Sequence, residues 1–366
     1  MKRLTYQPLW HRLWREFLCS RAIRTLGNNA VSPDALRIGL VGAGRVARRH
    51  LYGYLKTGKA RVVCASDPQP KQRRKARGRW RIPKVYSDFQ EMLANEQLDM
   101  VSVCAPPKFH HVAVLAAAQS GAKAVLCEKP IALDLIQADE MIRICRERGV
   151  TLAIGHQRRF ARQHQHAKEL LAQGVIGELR HVIAECPPDI LRAGIHCADM
   201  LLDYVGPIAR VTASLSDGRG GKVRPPREAS LSTQSADKDS WIFVETANGL
   251  QVTLRVTNRI SRKAKLIFLG EKGVIEVWWD GGLRYRRSQD NSWTVPDLPL
   301  NPYLDEFYFE IDSILSALAS GTSVAVPGEA GRNSLEVVLA ILIANNEERT
   351  VSLLLPQDAA AQYDSA

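Results

Sequence analysis

The sequence predicts an α/β protein, with an N-terminal Rossmann domain built on a doubly wound parallel sheet and a C-terminal α+β domain with a predominantly antiparallel open sheet. Short apolar strands alternate with helical segments from Leu36 onward, as in a parallel sheet. A glycine-rich turn, Gly42-Ala43-Gly44-Arg45-Val46-Ala47, separates the first strand from the first helix. Beyond about residue 172, β-rich segments follow one another through short links. A chain of 366 residues also fits two domains better than one.

In the first half of the chain each element follows from hydrophobic pattern and helix-end signals. Ser87 or Asp88 is a suitable N-cap, and Gly121 and Gly149 are placed to end helices. We expect strands at 36–41, 61–66, 100–105, 124–127 and 151–154, and helices at 45–57, 111–120 and 135–148.

After a helix at 162–172, the second half of the chain is predicted to consist mainly of strands. Asn248-Gly249 is a typical hairpin turn between two strands. Strands are expected at 180–186, 210–216, 241–246, 250–257, 265–269 and 273–279, followed by helices at 303–318 and 330–345. Residues 217–240 are polar and rich in Gly, Pro and Ser, which is typical of a loop.

The first 35 residues form an extension outside this alternation. Trp10, Leu13, Trp14, Phe17 and Leu18 have the spacing of one helix face, with arginines between them. Such a basic amphipathic helix packs on its own protein or on a partner subunit, or lies on a membrane surface. The predicted organisation is therefore an extension at 1–35, a dinucleotide-binding domain at 36–157 and a substrate and oligomerisation domain at 158–366.

Composition and charge argue against a membrane-spanning protein and against a nucleic-acid-binding protein. No apolar run approaches the roughly 20 residues of a transmembrane helix. Seven scattered cysteines without CxxC spacing predict reduced, mostly buried thiols in a cytoplasmic protein without a metal site. The net charge is +12, and residues 71–84 hold eight basic and no acidic side chains. Because no DNA-binding motif surrounds this stretch, we interpret it as a solvated helix face and expect no nucleic-acid partner.

The glycine-rich turn has the features of a dinucleotide site. Gly42 permits the tight turn, Gly44 lets the backbone approach a pyrophosphate, and the following helix N-terminus favours phosphate charge. Asp67 follows the second strand, 23 positions after Gly44, where a carboxylate can hold the ribose hydroxyls. This predicts NAD as the cofactor, while Arg73 and Arg74 leave NADP open.

Several further motifs, in order, resemble the Gfo/Idh/MocA oxidoreductase family (glucose–fructose oxidoreductase, inositol dehydrogenase and MocA). The resemblance extends over about residues 36–355. The motifs are Ala105-Pro106-Pro107 with His110, Cys127-Glu128-Lys129-Pro130, Arg158-Arg159-Phe160, Gly174-Val175-Ile176-Gly177-Glu178, Gly194-Ile195-His196-Cys197-Ala198-Asp199 and Gly270-Glu271-Lys272-Gly273.

The resemblance implies an NAD(P)-dependent enzyme that oxidises or reduces a secondary alcohol of a sugar, cyclitol or sugar acid. Lys129 and His196 match its acid/base groups, and Pro130 its cis proline. Cofactor contacts are implied for Gly42, Gly44, Arg45, Val46, Asp67, Ala105, Pro106, His110, Glu128 and Lys129. For His110, capping of the next helix is an alternative role. The family also implies a homo-oligomer formed through the C-terminal sheet.

One position departs from the family pattern. Relatives that act on polyols place an aspartate four residues before the histidine, where this chain has Arg192. Asp189 is a candidate substitute. Arg192, with Arg158 or Arg159, suggests recognition of a substrate carboxylate or phosphate, since guanidinium binds such groups bidentately. Asp199 is grouped with these substrate-binding candidates, although a structural role suits it better.

Two other functions compatible with the same motifs remain open. In the first, transient oxidation by NAD enables elimination or glycoside cleavage, and the cofactor is regenerated in each turnover. In the second, the chain is a non-catalytic NAD-binding subunit, which the retention of Lys129 and His196 argues against.

Overall fold

A computed structural model describes residues 34–186, 190–216, 240–256, 264–279, 281–298 and 303–354, together with Arg21, Ile23 and Thr25. The chain divides into two compact units. Unit 1 comprises residues up to 128, 144–155 and 302–325. Unit 2 comprises 129–143, 156–301 and the chain from 326 onward.

Unit 1 contains a six-stranded parallel sheet with strand order β3-β2-β1-β4-β5-β6. The strands are β1 (Leu36–Val41), β2 (Ala60–Ser66), β3 (Lys84–Tyr86), β4 (Met100–Val103), β5 (Ala124–Glu128) and β6 (Thr151–Gly155). The order reverses between β1 and β4, so a crevice is expected at their carboxyl ends, where ligands of such sheets bind. The predicted Rossmann sheet is confirmed.

The helices of unit 1 also follow the sequence pattern. They are α1 (Arg45–Thr57), α2 (Pro70–Gly78), α3 (Phe89–Asn95) and α4 (His110–Gln119), and α5 (Leu135–Glu147) continues from unit 2 into unit 1. Asp88 caps α3, since its side chain accepts a hydrogen bond of 2.6 Å from the Gln90 amide.

One helix of unit 1 comes from much later in the chain. Helix α8 (Tyr303–Ser320) packs against α1 so closely that a Cβ atom at Gly53 would lie 3.0 Å from the Phe307 carbonyl oxygen. Ile311 and Leu315 of α8 belong to the same core as Ile38 and Leu40 of β1. We predicted that this helix belongs to the C-terminal domain, because its position late in the chain does not reveal that it packs in the N-terminal unit. Ile23 of the N-terminal extension is buried in this core as well.

Unit 2 contains an eight-stranded mixed sheet with order β13-β12-β11-β7-β10-β9-β8-β14. Its strands are β7 (Leu179–Cys186), β8 (Ile208–Ser214), β9 (Ser240–Thr246), β10 (Gln251–Val256), β11 (Lys265–Gly270), β12 (Gly273–Trp278), β13 (Leu283–Arg287) and β14 (Val351–Ser352). The pairing is antiparallel except between β7 and β10. A predominantly antiparallel sheet is therefore confirmed, with one parallel pair that the sequence pattern did not predict.

Besides the start of α5, three described α-helices belong to unit 2, and one of them carries His196 and Asp199. They are α6 (Arg162–Ala172), α7 (Ile195–Val205) and α9 (Gly328–Glu347), and a π-helical segment at Ile190–Gly194 leads directly into α7. Such segments are frequent at functional sites. The predicted loop at 217–240 lies outside the described residues except for its last residue. Within the described part of the chain, no helix is both long and apolar enough to cross a membrane.

A disulfide joins Cys186, at the end of β7, to Cys197 in α7. The prediction of reduced thiols is therefore wrong for this pair. The two residues are 11 positions apart in sequence, and only the fold of β7 and α7 brings their sulfur atoms together. Among the other described cysteines, Cys64, Cys104, Cys127 and Cys145 form no disulfide. Because disulfides are rare in the cytoplasm, the cysteines of this chain no longer support the predicted cytoplasmic location.

Candidate active site

The glycine turn of unit 1 has a backbone that only glycine adopts readily. Gly42 has a φ of 89°, and a Cβ atom there would lie 2.9 Å from the Cys104 carbonyl oxygen, so the turn is packed against the chain that follows β4. Gly44, the N-cap of α1, has no atom within 4 Å of where its Cβ would be, and no side chain caps the helix. The uncapped N-terminus of this 13-residue helix and the space beside Gly44 fit a pyrophosphate. Arg45 and Val46 open the helix beside it.

Asp67 directly follows β2 and is held against this turn. Its carboxylate accepts hydrogen bonds of 2.9 Å from the amides of Ala43 and Gln69. Arg73 is bound by the backbone, since its Nη1 donates to the carbonyl oxygens of Asp67 and Pro68 at 2.7 and 2.9 Å. This arrangement fixes a carboxylate beside the turn, as recognition of ribose hydroxyls requires.

His110 organises the loop after β4. Its Nε2 donates to the carbonyl oxygen of Ala105 at 2.9 Å, and the ring is buried. No side chain caps α4. The ring therefore supports the segment of Ala105 and Pro106, which lies at the carboxyl end of β4 where a cofactor contact was predicted.

A buried polar chain, which the sequence analysis missed, leads to Glu128 at the end of β5. The hydroxyl groups of Tyr54 and Ser102 are hydrogen-bonded at 2.6 Å, Ser102 contacts His50 Nδ1 at 3.3 Å, and His50 Nε2 donates to Glu128 Oε1 at 2.9 Å. A Cβ atom at Gly155 would lie 3.3 Å from this carboxylate. The chain orients Glu128 directly before Lys129. His50 and Tyr54 lie in α1 and Ser102 lies in β4, and none of the three belongs to a motif. No sequence signal therefore indicated them.

In unit 2, His196 lies in a cluster of aromatic and cationic side chains. Its ring meets His156 and Trp279 edge-on, with centroid distances of 6.0 and 5.9 Å. Only 9% of His196 is exposed. Burial lowers the pKa of His196 well below its ordinary value, and the nearby charges of Lys129, Arg158 and His156 lower it further. Burial and these charges therefore favour the neutral imidazole of His196 over the protonated form.

Two polar atoms in this cluster have unmet hydrogen-bonding capacity. Among the described residues, neither His196 Nδ1 nor Trp279 Nε1 has a hydrogen-bond partner. Buried polar atoms in native proteins are normally paired, so these two atoms keep hydrogen-bonding capacity that the described residues do not use. Trp279 and His156 were missed from the sequence. The position of His156 directly after β6 was the available signal.

Arg159 and Asp199, both predicted to contact substrate, bind each other instead. Arg159 Nε donates to both carboxylate oxygens at 3.0 Å, and its Nη1 reaches Asp203 at 3.3 Å. Ser334 donates to Asp199 at 3.3 Å, and His156 Nδ1 lies 3.4 Å from the same carboxylate. The side chain of Asp199 is fully buried. This geometry suits a structural ion pair that supports His156.

The remaining predicted residues are placed as follows. The Lys129-Pro130 peptide bond is cis. Arg158 lies over the Trp279 ring at 5.4 Å and donates from Nη1 to the Trp279 carbonyl oxygen at 3.1 Å. Arg192 falls in the π-helical segment before α7, but its side chain lies outside the described residues, as does Asp189.

The glycine turn lies in a part of the chain that is similar to known proteins. The family model described as "Oxidoreductase family, NAD-binding Rossmann fold" (Gfo/Idh/MocA) matches residues 36–156. This match spans about a third of the chain and makes residues 36–156 similar to the NAD-binding domain of that family. A D-glucoside 3-dehydrogenase of Escherichia coli is 34% identical over 152 residues, which are 41% of this chain and 43% of that protein. The myo-inositol 2-dehydrogenase of Thermotoga maritima is 26% identical over 345 residues, covering 87% of this chain and 98% of the relative.

Solved structures of similar fold extend through both units. A levoglucosan dehydrogenase in complex with NADH and levoglucosan has a TM-score of 0.77 at 18% identity, covering 88% of this chain and all of that one. An NAD-binding oxidoreductase from Klebsiella pneumoniae has the same TM-score at 19% identity and the same coverage. At this identity the likeness establishes the fold. The Gfo/Idh/MocA match and the geometry of the glycine turn together assign NAD as the cofactor of unit 1.

Proposed function

We propose that this Gfo/Idh/MocA protein transfers a hydride between NAD(P) and a secondary alcohol or ketone of a sugar, cyclitol or sugar-acid-like substrate. The observation that carries the proposal is the position of His196, which is nearly buried and meets His156 and Trp279 edge-on at centroid distances of 6.0 and 5.9 Å, with the charges of Lys129 and Arg158 nearby. The curated relatives named above act, by their names, on a glucoside and on myo-inositol. Both are polyols with secondary hydroxyl groups.

Lys129 and His196 supply acid/base chemistry in this proposal. In the oxidation direction, His196 accepts the hydroxyl proton while the carbinol C–H bond breaks and a C=O bond forms. The Lys129 ammonium stabilises the negative charge that develops on the oxygen. Bound NAD supplies the two-electron acceptor or donor at its nicotinamide ring.

The cofactor-holding residues of unit 1 have distinct roles. The α1 N-terminus, with Gly42, Gly44, Arg45 and Val46, binds the pyrophosphate, and Asp67 binds the adenosine ribose. Ala105, Pro106, His110 and Glu128 shape the nicotinamide end. Glu128 is held by His50 at 2.9 Å, so the residue before Lys129 is fixed from within the core.

The test uses Lys129→Met and His196→Gln with a panel of alditols, cyclitols and aldonates. Appearance of reduced nicotinamide with wild-type protein, and at least a hundredfold loss in either variant with NAD binding retained, supports the proposal. Lys123→Met is the matched control, because Lys123 is an exposed surface lysine paired with Asp99. Equal turnover by Lys129→Met and wild type contradicts the proposed role of Lys129.

We also propose that the chain forms a homo-oligomer through the exposed face of the sheet in unit 2. On β9, Trp241 and Phe243 are 42% and 55% exposed, whereas their neighbours Ile242 and Val244 are buried. Burial of these aromatic side chains against a second copy removes apolar surface from water. Light scattering of wild type and Phe243→Lys tests this, with a monomeric wild type as the contrary result.

A further inference from the structure

His50 links the helix of the glycine turn to two strands of the parallel sheet in unit 1. It lies in α1 and has no exposed surface. Its Nδ1 lies 3.3 Å from the Ser102 hydroxyl oxygen on β4, and its Nε2 donates to Glu128 Oε1 on β5 at 2.9 Å. The ring also packs against Phe307 of α8, with a centroid distance of 5.8 Å. The imidazole is therefore fixed by β4, β5 and α8 together, and one ring nitrogen binds each strand.

Glu128 is the outermost member of this polar chain. It is the last residue of β5 and is 7% exposed, whereas the other three members have no exposed surface. Gly155 on β6 leaves room for its carboxyl group, since a Cβ atom there would lie 3.3 Å from both Cδ and Oε1 of Glu128. His50 and Gly155 thus confine this side chain at the carboxyl end of the sheet, where ligands of such sheets bind.

The inner end of the chain lies in the apolar core. Ser102 and Tyr54 share a hydrogen bond of 2.6 Å, and the Tyr54 hydroxyl next contacts Met100 Sδ at 3.7 Å. Burial raises the pKa of Tyr54 above its ordinary value, so this hydroxyl keeps its proton. Among the described residues, a proton that left Glu128 along this chain would therefore meet no group at Tyr54 that releases it to water. The contacts suit a fixed support for Glu128 and not a proton relay.

The course of the dinucleotide in the proposed site gives this support a function. Asp67 after β2 binds the adenosine ribose, and the N-terminus of α1 after β1 binds the pyrophosphate. Strands β4 and β5 lie on the other side of β1 from β2, so the nicotinamide half extends toward their carboxyl ends, where Glu128 lies.

We propose that His50 is a positioning residue for the nicotinamide half of NAD. Through its hydrogen bond to Glu128, it holds the end of β5 in place relative to the helix that binds the pyrophosphate. The proposal rests on the proposed function for the placement of the nicotinamide beside Glu128. It adds a residue that itself contacts no part of the cofactor and belongs to no motif in the sequence analysis.

The test compares NAD with ADP-ribose, which keeps the adenosine, the pyrophosphate and the second ribose but lacks the nicotinamide. Their affinities for the full-length protein are measured by calorimetry in wild type, His50→Asn and His50→Gln. Glutamine is long enough to keep a donor near the position of Nε2, whereas asparagine reaches only the position of Nδ1. We expect His50→Asn to bind NAD about tenfold more weakly, the lower value for loss of a hydrogen bond to a charged group, with the affinity for ADP-ribose unchanged. His50→Gln should keep most of the wild-type affinity for NAD.

His164→Asn is the matched control, because His164 is also fully buried and its Nδ1 lies 2.9 Å from the Tyr204 hydroxyl oxygen in unit 2. It should leave both affinities unchanged. The route through Glu128 is tested by Glu128→Ala, which should show the same loss for NAD alone. Addition of His50→Asn to Glu128→Ala should then cause no further loss.

Equal weakening of NAD and ADP-ribose in His50→Asn, or an unchanged affinity for NAD, overturns the proposal. A full further loss in the double variant also overturns it, because His50 would then act independently of Glu128. Unchanged NAD affinity in Glu128→Ala contradicts both the proposal and the placement of the nicotinamide beside Glu128. The expected binding pattern in a protein that transfers no hydride to any polyol supports the role of His50 and contradicts the proposed function alone.

Discussion

Replacement of Arg159 by methionine tests whether this arginine is structural. Arg159→Met keeps the apolar stem but removes the guanidinium that binds Asp199. The side chains of Arg159 and Asp199 are 13% and 0% exposed, so the variant leaves a buried carboxylate that has, among the described residues, Ser334 and His156 beside it. Removing one partner of such a pair costs about 3–5 kcal/mol. We expect the free energy of unfolding to fall by this amount.

The measurement is urea unfolding followed by tryptophan fluorescence, to which Trp278 and Trp279 of unit 2 contribute. The double variant Arg159→Met/Asp199→Asn removes both charges and should regain most of the loss. Arg162→Met, a change at an exposed site, should alter stability by no more than about 0.5 kcal/mol. Wild-type stability of Arg159→Met, combined with weakened substrate binding, would refute the structural assignment and restore Arg159 as a substrate ligand.

Three other predictions follow from the same structure. Asp67→Ser removes the carboxylate beside the glycine turn, and with it the repulsion of a 2′-phosphate. The ratio of NADP to NAD affinity, measured by fluorescence titration, should therefore rise at least tenfold. An unchanged ratio would contradict the proposed role of Asp67 in binding the ribose. Burial lowers the pKa of His164 to about 3, whereas unfolded histidine titrates near 6.5, so stability should fall as pH drops below 6.5, by about 2 kcal/mol at pH 5. In urea unfolding at several pH values, His164→Gln should lack this part of the pH dependence, and the more exposed control His166→Gln should keep it. Equal pH slopes in the two variants would contradict the lowered pKa of His164. Alkylation of denatured, unreduced protein should modify five of the seven cysteines, with Cys186 and Cys197 protected until reduction, and seven modified thiols would mean that the bond is absent.

Much of unit 1 could be predicted because its signals are local. The glycine turn, the apolar strands and Asp67 lie within about 30 residues, so their order and spacing can be read directly from the sequence. Helix α8 was assigned to the wrong unit because its contact with Gly53 spans some 250 residues, and no local pattern encodes it. The parallel pairing of β7 with β10 has the same cause.

The site residues of unit 2 were only partly predictable. Family motifs indicated Lys129 and His196, but a motif does not reveal which charges are already paired. Arg159 and Asp199 are 40 positions apart, and only the structure places them in one ion pair. His156 and Trp279 belong to no motif used, and they became candidates through their contacts with His196.

The measurement that tests the central claim most directly is transfer of isotope from substrate to cofactor. Wild-type protein is mixed with NAD and a substrate deuterated at the carbinol carbon, and both products are examined by mass spectrometry. Direct hydride transfer predicts one deuterium on the nicotinamide ring of the reduced cofactor and an unlabelled ketone. Conversion of substrate without net reduced cofactor, with deuterium retained in the product, would contradict net dehydrogenation and indicate a recycled cofactor.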